Sequence, residues 1–93
     1  MNLIALADEI ADVRRRIAEG VEGASLDQYQ RNAFVFISER LHEMENECRS
    51  GKLKPADERY PELGRIAVET DPTVLPPDLG GELIDVETKY QKV

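Results

Sequence analysis

Carboxylate side chains dominate the residues of this chain that could take part in chemistry. Its 93 residues include 19 Asp and Glu against 12 Lys and Arg, and the formal net charge is −7. Glu39, Glu43 and Glu47 follow one another at intervals of four residues, which places them on one face of an α-helix. Like charges at this spacing oppose helix formation by roughly 0.2–0.5 kcal/mol per pair. This acidic ridge is interpreted either as a solvated helix face or as a contact surface for a basic partner.

Nucleophiles and metal ligands are too few to assemble an active site. His42 is the only histidine and Cys48 the only cysteine, so a thiolate metal cage and an intrachain disulfide are both excluded. Cys48 falls in register with apolar residues, which favours a core thiol. The sequence contains no phosphate-binding loop, dinucleotide fingerprint, metalloprotease pair or Ser/His/Asp set. We therefore expect no metal, no cofactor and no enzymatic activity, and a protein that acts by surface complementarity.

Composition also limits the kinds of partner. An acidic chain is repelled by nucleic-acid phosphates, and three Tyr, two Phe and no Trp leave little for stacking on bases. No apolar run approaches the roughly 20 residues of a membrane span. The arginines of the N-terminal segment follow its apolar stretch, which reverses the order of a secretory signal. The sequence predicts a cytoplasmic protein with no nucleic-acid or membrane partner.

Two long amphipathic helices are predicted in the first half of the chain. The first spans about residues 2–19, is capped by Asn2 and ends at Gly20 and Gly23. The second spans about residues 26–50 and begins with a capping box from Ser25 to Gln28. A short glycine-containing link between two such helices favours an antiparallel hairpin. The apolar stripe predicted for the second helix comprises Leu26, Tyr29, Ala33, Phe36, Ile37, Leu41, Met44 and Cys48.

Two shorter helices are predicted in the second half. Pro61 suits the first position of a helix over about residues 61–69. Leucine, valine and tyrosine spacing predicts a last helix over about residues 79–91, although Pro76 and Pro77 leave its start open. The predicted fold is therefore an all-α, small single-domain bundle over residues 1–93, in which a helical hairpin is followed by two shorter helices.

The stretch Leu63-Gly64-Arg65-Ile66-Ala67-Val68, followed by Asp71-Pro72, resembles a family of type VI secretion immunity proteins. These are small cytosolic helical proteins that protect a bacterium from an NAD(P)-hydrolysing toxin. The order of a long helix, this motif and a last amphipathic helix also matches the family. The motif itself is interpreted as structural, with Leu63, Ile66 and Val68 in the core and Gly64 allowing close approach of helices. The resemblance implies a protein of the bacterial cytoplasm that binds a toxin domain and covers its NAD(P) cleft.

On this hypothesis the acidic ridge faces the basic cleft of the toxin. Glu39, Glu43 and Glu47 are the predicted contact residues, with Tyr60 and Tyr90 as aromatic anchors.

Two alternatives remain open at this point. One is a homodimeric helical adaptor, for which Ile4 and Phe34 would suit the dimer seam, and the other is a phage-encoded acidic inhibitor that mimics phosphate charge. The sequence leaves monomer and homodimer both open.

Overall fold

The chain folds into four α-helices in a computed structural model that describes residues 2–22, 25–59, 62–69, 75 and 77–93. They are α1 (Leu3–Val21), α2 (Gln28–Ser50), α3 (Glu62–Glu69) and α4 (Pro77–Lys92), with a 3-10 turn at Ala56–Glu58. These described residues contain no strand, and the predicted all-α fold is confirmed. None of the described helices combines the length and the apolar character that a bilayer crossing requires.

Some sequence predictions fall outside this description. Tyr60, Pro61, Asp71, Pro72 and Pro76 lie outside the described residues. So do the side chains of several residues inside the helices and the turn: Ala56, Glu62, Ala67, Val68, Glu69 and Pro77.

Helix α1 begins as predicted and ends later. The side chain of Asn2 accepts hydrogen bonds from the backbone N–H groups of Ile4 (2.9 Å) and Ala5 (3.4 Å). Gly20 lies inside the helix, so the prediction that it ends α1 is wrong. The helix continues to Val21 because glycine is only a weak helix breaker and this turn can still form.

The capping box at the start of α2 begins two residues later than predicted. The carboxylate of Asp27 accepts from the backbone N–H of Gln30 at 2.8 Å, and the Gln30 side chain accepts from the Asp27 N–H at 3.0 Å. Both bonds satisfy N–H groups that the helix cannot. Ser25 lies outside the helix, so its predicted cap is wrong. At the other end, Gly51 adopts the left-handed conformation with φ of 72°.

The buried face of α2 differs from the predicted stripe at its N-terminal half. Ile37 is buried as predicted, as are Leu41, Met44 and Cys48. Tyr29 and Phe36, predicted to be in the core, are 77% and 41% exposed, whereas Phe34 is buried. Helix α1 packs on the side of α2 that carries Phe34, which rotates the buried face away from Phe36. Phe34 therefore belongs mainly to the core, whereas Ile4 is exposed.

Helices α1 and α2 form the predicted antiparallel hairpin. Asp8, near the start of α1, pairs with Arg49 near the end of α2 at 3.2 Å. One and a half turns later, Arg14 pairs with Glu45 at 3.0 Å. Rising residue numbers in α1 thus meet falling numbers in α2.

Helix α1 packs on α4 as well, again in antiparallel fashion. Lys89 donates to Glu9 at 2.8 Å, and Arg16 pairs with Glu82 about two helical turns further on. α1 therefore packs on both α2 and α4. The buried hydrophobic core comprises Leu6, Ala7, Ile10, Val13, Ile17, Phe34, Ile37, Leu41, Met44, Cys48, Leu63, Leu75, Leu83, Val86 and Tyr90.

Helix α4 begins at Pro77, two residues before the prediction, and α3 packs against it. Proline fits the first turn of a helix because that N–H has no intrahelical acceptor. Leu63 of α3 is buried as predicted and Ile66 is partly buried. A Cβ at Gly64 would lie 3.5 Å from Glu87 Oε1 and 3.7 Å from Ile84 Cγ1, which is ordinary contact. The helices therefore leave room for a methyl group, and the predicted need for glycine at this position is wrong.

Ile37→Asp is expected to unfold the protein, because it places an unpaired carboxylate in a fully buried site. Val35→Asp, two residues away on the exposed surface of the same helix, provides the control and is expected to keep the fold. Far-ultraviolet circular dichroism and thermal unfolding distinguish the two. A cooperatively folded Ile37→Asp variant would show that the register of α2 is wrong.

Two glycine substitutions are expected to change stability in opposite directions. Gly64→Ala should raise the free energy of unfolding by about 0.5–1 kcal/mol, since alanine favours the helix and a Cβ fits there. Gly51→Ala should lower it by about 1–2 kcal/mol, since its φ of 72° is strained for any residue with a Cβ. Urea unfolding measures both changes, and an equal effect of the two substitutions would contradict this assignment.

Candidate functional site

A solvent-facing pocket of about 200 Å³ lies where α2 meets the segment that follows it. It brings together two of the predicted contact residues, Glu39 and Glu43, with residues that were not predicted. Its lining comprises Phe36, Glu39, Arg40, Glu43, Lys54 and Glu58.

The Gly51 turn positions this pocket by reversing the chain, which then runs back along α2. The backbone N–H of Lys54 donates to Glu47 Oε1 at 2.9 Å, which holds the returning segment against the helix. Glu43 lies between two cations, with its Oε2 at 3.4 Å from Arg40 Nη1 and 3.8 Å from Lys54 Nζ. The positive charges of the pocket are thus directed at Glu43.

Glu39 and Glu58 are the carboxylates of the pocket that have no side-chain partner among the described residues. Both residues are exposed, and neither side chain makes a hydrogen bond or ion pair with any residue that the structure describes. Their charges therefore face solvent, beside the exposed ring of Phe36. Protein contact sites combine an aromatic-rich apolar centre with a polar rim, and Phe36 beside these two carboxylates offers both.

Glu47 does not join this surface, and the predicted ridge of three carboxylates is reduced to Glu39 and Glu43. The Oε1 atom of Glu47 accepts a hydrogen bond from the Tyr90 hydroxyl at 2.7 Å in addition to the one from the Lys54 N–H. Its Oε2 atom is buried. A carboxylate held in this way links α2, the following segment and α4, so its role as a partner contact is wrong.

Tyr90 is likewise part of the core and not an aromatic anchor for a partner. Its side chain is 1% exposed and lies between two guanidinium groups, with the ring centroid 5.5 Å from Arg40 Cζ and 5.6 Å from Arg59 Cζ. Cations over the ring face are attracted by its quadrupole. Burial, and then the hydrogen bond to Glu47, raise the pKa of the Tyr90 hydroxyl well above its ordinary value. The hydroxyl therefore stays protonated and donates.

Arg59 fixes the segment before α3 to the end of α4. Its Nη1 donates to the carbonyl oxygens of Tyr90 (2.9 Å) and Val93 (2.6 Å), and its Nε donates to that of Lys54 at 2.7 Å. Gln91 returns a hydrogen bond from its side chain to the Arg59 carbonyl at 3.1 Å. A cation at a helix C-terminus satisfies free carbonyls and complements the helix dipole. Arg59 thereby sets the position of the wall of the pocket that carries Lys54 and Glu58.

A second buried carboxylate holds the two C-terminal helices together. Glu87 of α4 is 4% exposed and accepts from the backbone N–H groups of Leu63 and Gly64, each at 2.9 Å. These are among the N–H groups that α3 cannot satisfy internally. Glu87 thus caps α3 from another helix, and no local sequence signal marks this role.

Sequence reasoning missed four important residues: Phe36 as a surface residue, Glu58, Arg59 and Glu87. Two signals were available for Phe36. Phe34 and Phe36 are two residues apart, so a helix cannot bury both on a narrow face. The segment Gln28–Ser38 also contains no Asp or Glu in a chain that has 19.

The remaining chemical groups are committed to the fold. Cys48 is buried, and desolvation raises the pKa of its thiol, which makes it a poor nucleophile. The ring of His42 is hydrogen-bonded to Arg14 and Asn46. Within the described part of the chain, no three residues of the ligating types are grouped so that they could hold a metal ion.

Comparisons with protein-family models, with curated proteins and with solved structures find no match for this chain. What its surface can do is inferred from the chemistry of the side chains on it. Two uncommitted carboxylates beside an exposed aromatic ring suit recognition of a basic and partly apolar surface.

Tyr90→Phe is expected to lower the free energy of unfolding by about 1 kcal/mol near neutral pH, because the hydrogen bond to Glu47 is lost. The raised pKa of Tyr90 means that wild-type stability is complete below about pH 10, where the unfolded chain keeps its proton, and falls above it. The slope for this one group is at most about 1.4 kcal/mol per pH unit. The variant is therefore expected to lose less stability between neutral and strongly alkaline pH.

Urea unfolding across this pH range measures the effect, and tyrosinate absorbance reports the ionisation. Tyr29→Phe is the control, since Tyr29 is 77% exposed and its substitution should leave both the stability and its pH dependence unchanged. Identical pH profiles for wild type and Tyr90→Phe would contradict the assignment.

Proposed function

We propose that this protein is an immunity-type inhibitor that acts in the bacterial cytoplasm by binding a cognate toxin domain. On the resemblance of the Leu63–Val68 stretch, that toxin is an NAD(P) glycohydrolase whose dinucleotide cleft the protein covers. The observation that carries the proposal is the pocket in which Glu39 and Glu58, without an ion-pair partner in the described part of the chain, lie beside Phe36. Stoichiometric inhibition of this kind needs a complementary surface and no catalytic group.

Net charge supports this proposal through association kinetics. A cleft that binds a dinucleotide pyrophosphate tends to be positively charged, and a ligand with a net charge of −7 is steered towards it. Exposed charges of this kind contribute more to the rate of association than to the lifetime of a complex. Fast capture is what a protein needs if it must intercept a toxin before substrate turns over.

The distribution of ion pairs also supports a division between fold and surface. Glu45 pairs with Arg14 and Arg49 inside the helical hairpin, and Glu82 pairs with Arg16 between α1 and α4. The arginines of α1 are thus used by the fold. The carboxylates beyond these pairs give the chain its acidic character towards a partner.

A homodimeric adaptor is the second candidate function, and one feature favours it. An apolar groove of about 190 Å³ runs between α1 and α2, and Val35 at its edge is exposed. The groove is lined by Arg14, Ile17, Ala18, Val21, Phe34, Val35 and Ser38. Sedimentation of the purified protein tests this alternative directly, because an adaptor of this type must self-associate.

Glu39→Lys combined with Glu43→Lys is expected to weaken toxin binding roughly 5- to 30-fold at low ionic strength, or about 1–2 kcal/mol. Added salt should reduce the difference, since these side chains are exposed to solvent. The helical circular dichroism should be unchanged. Glu22→Lys with Asp57→Lys, which changes the net charge equally at exposed sites outside the pocket, is the control. If the Glu39/Glu43 variant and the wild type bind the toxin with equal affinity, the acidic ridge is not part of the interface.

The function itself is tested by co-expression with the protein encoded directly upstream, followed by copurification and measurement of cellular NAD(P). A stable complex that preserves the dinucleotide pool is the expected outcome. Absence of a complex together with unprotected NAD(P) would overturn the proposal.

A further inference from the structure

One flank of α2 is covered over half of its length and bare over the other half. Towards the C-terminus, Arg40 and Glu47 lie against Tyr90 of α4 and against the segment that follows the helix. Towards the N-terminus, the same flank carries Tyr29 and Phe36, whose exposure to solvent is unusual for large apolar side chains. These two residues are seven apart and therefore share a face of the helix.

Negative charge on this side of α2 begins only beyond Ser38. The segment Gln28–Ser38 contains no acidic residue and one basic residue, Arg31. Immediately beyond it lie Glu39 and, across the pocket, Glu58. An apolar neutral surface is thus followed by a pocket with two uncommitted negative charges.

The positive charges that line the pocket do not cancel these two. Arg40 has a side chain that is only 10% exposed, lies over the Tyr90 ring and contacts Glu43. Lys54 also has Glu43 as its ion-pair partner. The groove between α1 and α4 differs, because its acids Glu9, Asp12, Glu82 and Asp85 are each paired with Arg or Lys.

We infer that this flank binds a protein segment in which an apolar side chain stands next to a basic one. The apolar side chain packs on Phe36 and extends the covered half of the flank, and the cation enters the pocket between Glu39 and Glu58. A second copy of this chain suits the flank less well, since each copy carries a net charge of −7 and the acidic pockets would repel. As an account of how a toxin is held, the inference rests on the proposed function, whereas the chemistry of the surface can be tested without a toxin.

The test uses two blocked five-residue peptides, one alternating lysine with leucine and the other alternating glutamate with leucine. Titration of each into the isotope-labelled protein, followed by NMR, maps the binding site. The lysine peptide is expected to shift the amide signals of Phe36, Glu39, Glu43, Lys54 and Glu58, while the glutamate peptide leaves them in place.

Matched variants then separate the two parts of the surface. Glu58→Lys is expected to weaken lysine-peptide binding by about fivefold, whereas Asp57→Lys, the neighbouring exposed acid outside the pocket, changes it less than about twofold. Phe36→Ser should weaken both peptide and toxin binding, with Val35→Ser on the opposite flank as its control. Salt should reduce the effect of Glu58→Lys and leave that of Phe36→Ser largely unchanged.

The inference is overturned if the lysine peptide shifts residues of the α1–α4 groove instead, if both peptides bind equally, or if Phe36→Ser leaves lysine-peptide binding unchanged. Failure of the proposed function is a different result. In that case the peptide map is as expected and no toxin copurifies. If the toxin binds and both Glu58→Lys and Phe36→Ser leave its affinity unchanged, the proposed function stands. In that case the assignment of this flank of α2 as the toxin-binding surface is overturned.

Discussion

The bundle depends on α1, which packs against two other helices, α2 and α4, at the same time. Its buried residues Leu6, Ala7, Ile10, Val13 and Ile17 form one broad apolar face, against which α2 and α4 both pack. The two edges of that face carry the same arrangement of charge, an acid near the helix start and an arginine about two turns later. Each neighbour presents a basic residue near its own end and a glutamate before it. The same antiparallel register is thus specified twice, because in the reverse direction like charges would meet.

These pairs determine register more than stability. Most of their side chains are partly exposed, and exposed pairs contribute about 0.2–1 kcal/mol each at best. Burial of the apolar face supplies the main driving force, and it has no preference for direction. Glu87 adds a different kind of specificity, because its buried carboxylate accepts hydrogen bonds from two N–H groups at the start of α3. Any other arrangement of α3 and α4 would leave these N–H groups unsatisfied.

Apolar periodicity predicted the helices because each helix buries one face against a neighbour. Every turn of the helix therefore places an apolar residue on that face. Details that depend on another part of the chain were not predictable. Local spacing accommodates either Phe34 or Phe36 in the core, and the position of α1 selects Phe34. Both Ser25 and Asp27 could cap the start of α2, and the structure has Asp27 as the N-cap, in a capping box with Gln30. For the candidate site, spacing alone placed Glu39 and Glu43 on the surface. Glu47 and Tyr90, 43 residues apart, were misjudged because only the folded chain brings them together.

The hydrogen bonds of Arg59 to the last carbonyls of α4 have a consequence for how the molecule opens. Helices α1 and α2 are neighbours along the chain, whereas the contact of Glu9 with Lys89 closes a loop of 80 residues. Closing this longer loop costs more entropy than closing the α1–α2 hairpin, so the contacts that dock α4 must offset the larger entropic cost. Arg59 is attached to α4, so undocking of α4 releases one of the contacts that hold the pocket wall of Lys54 and Glu58. Occupation of the pocket and docking of α4 are therefore thermodynamically linked: a ligand that needs the docked arrangement favours docking of α4, and docking of α4 favours that ligand by the same factor.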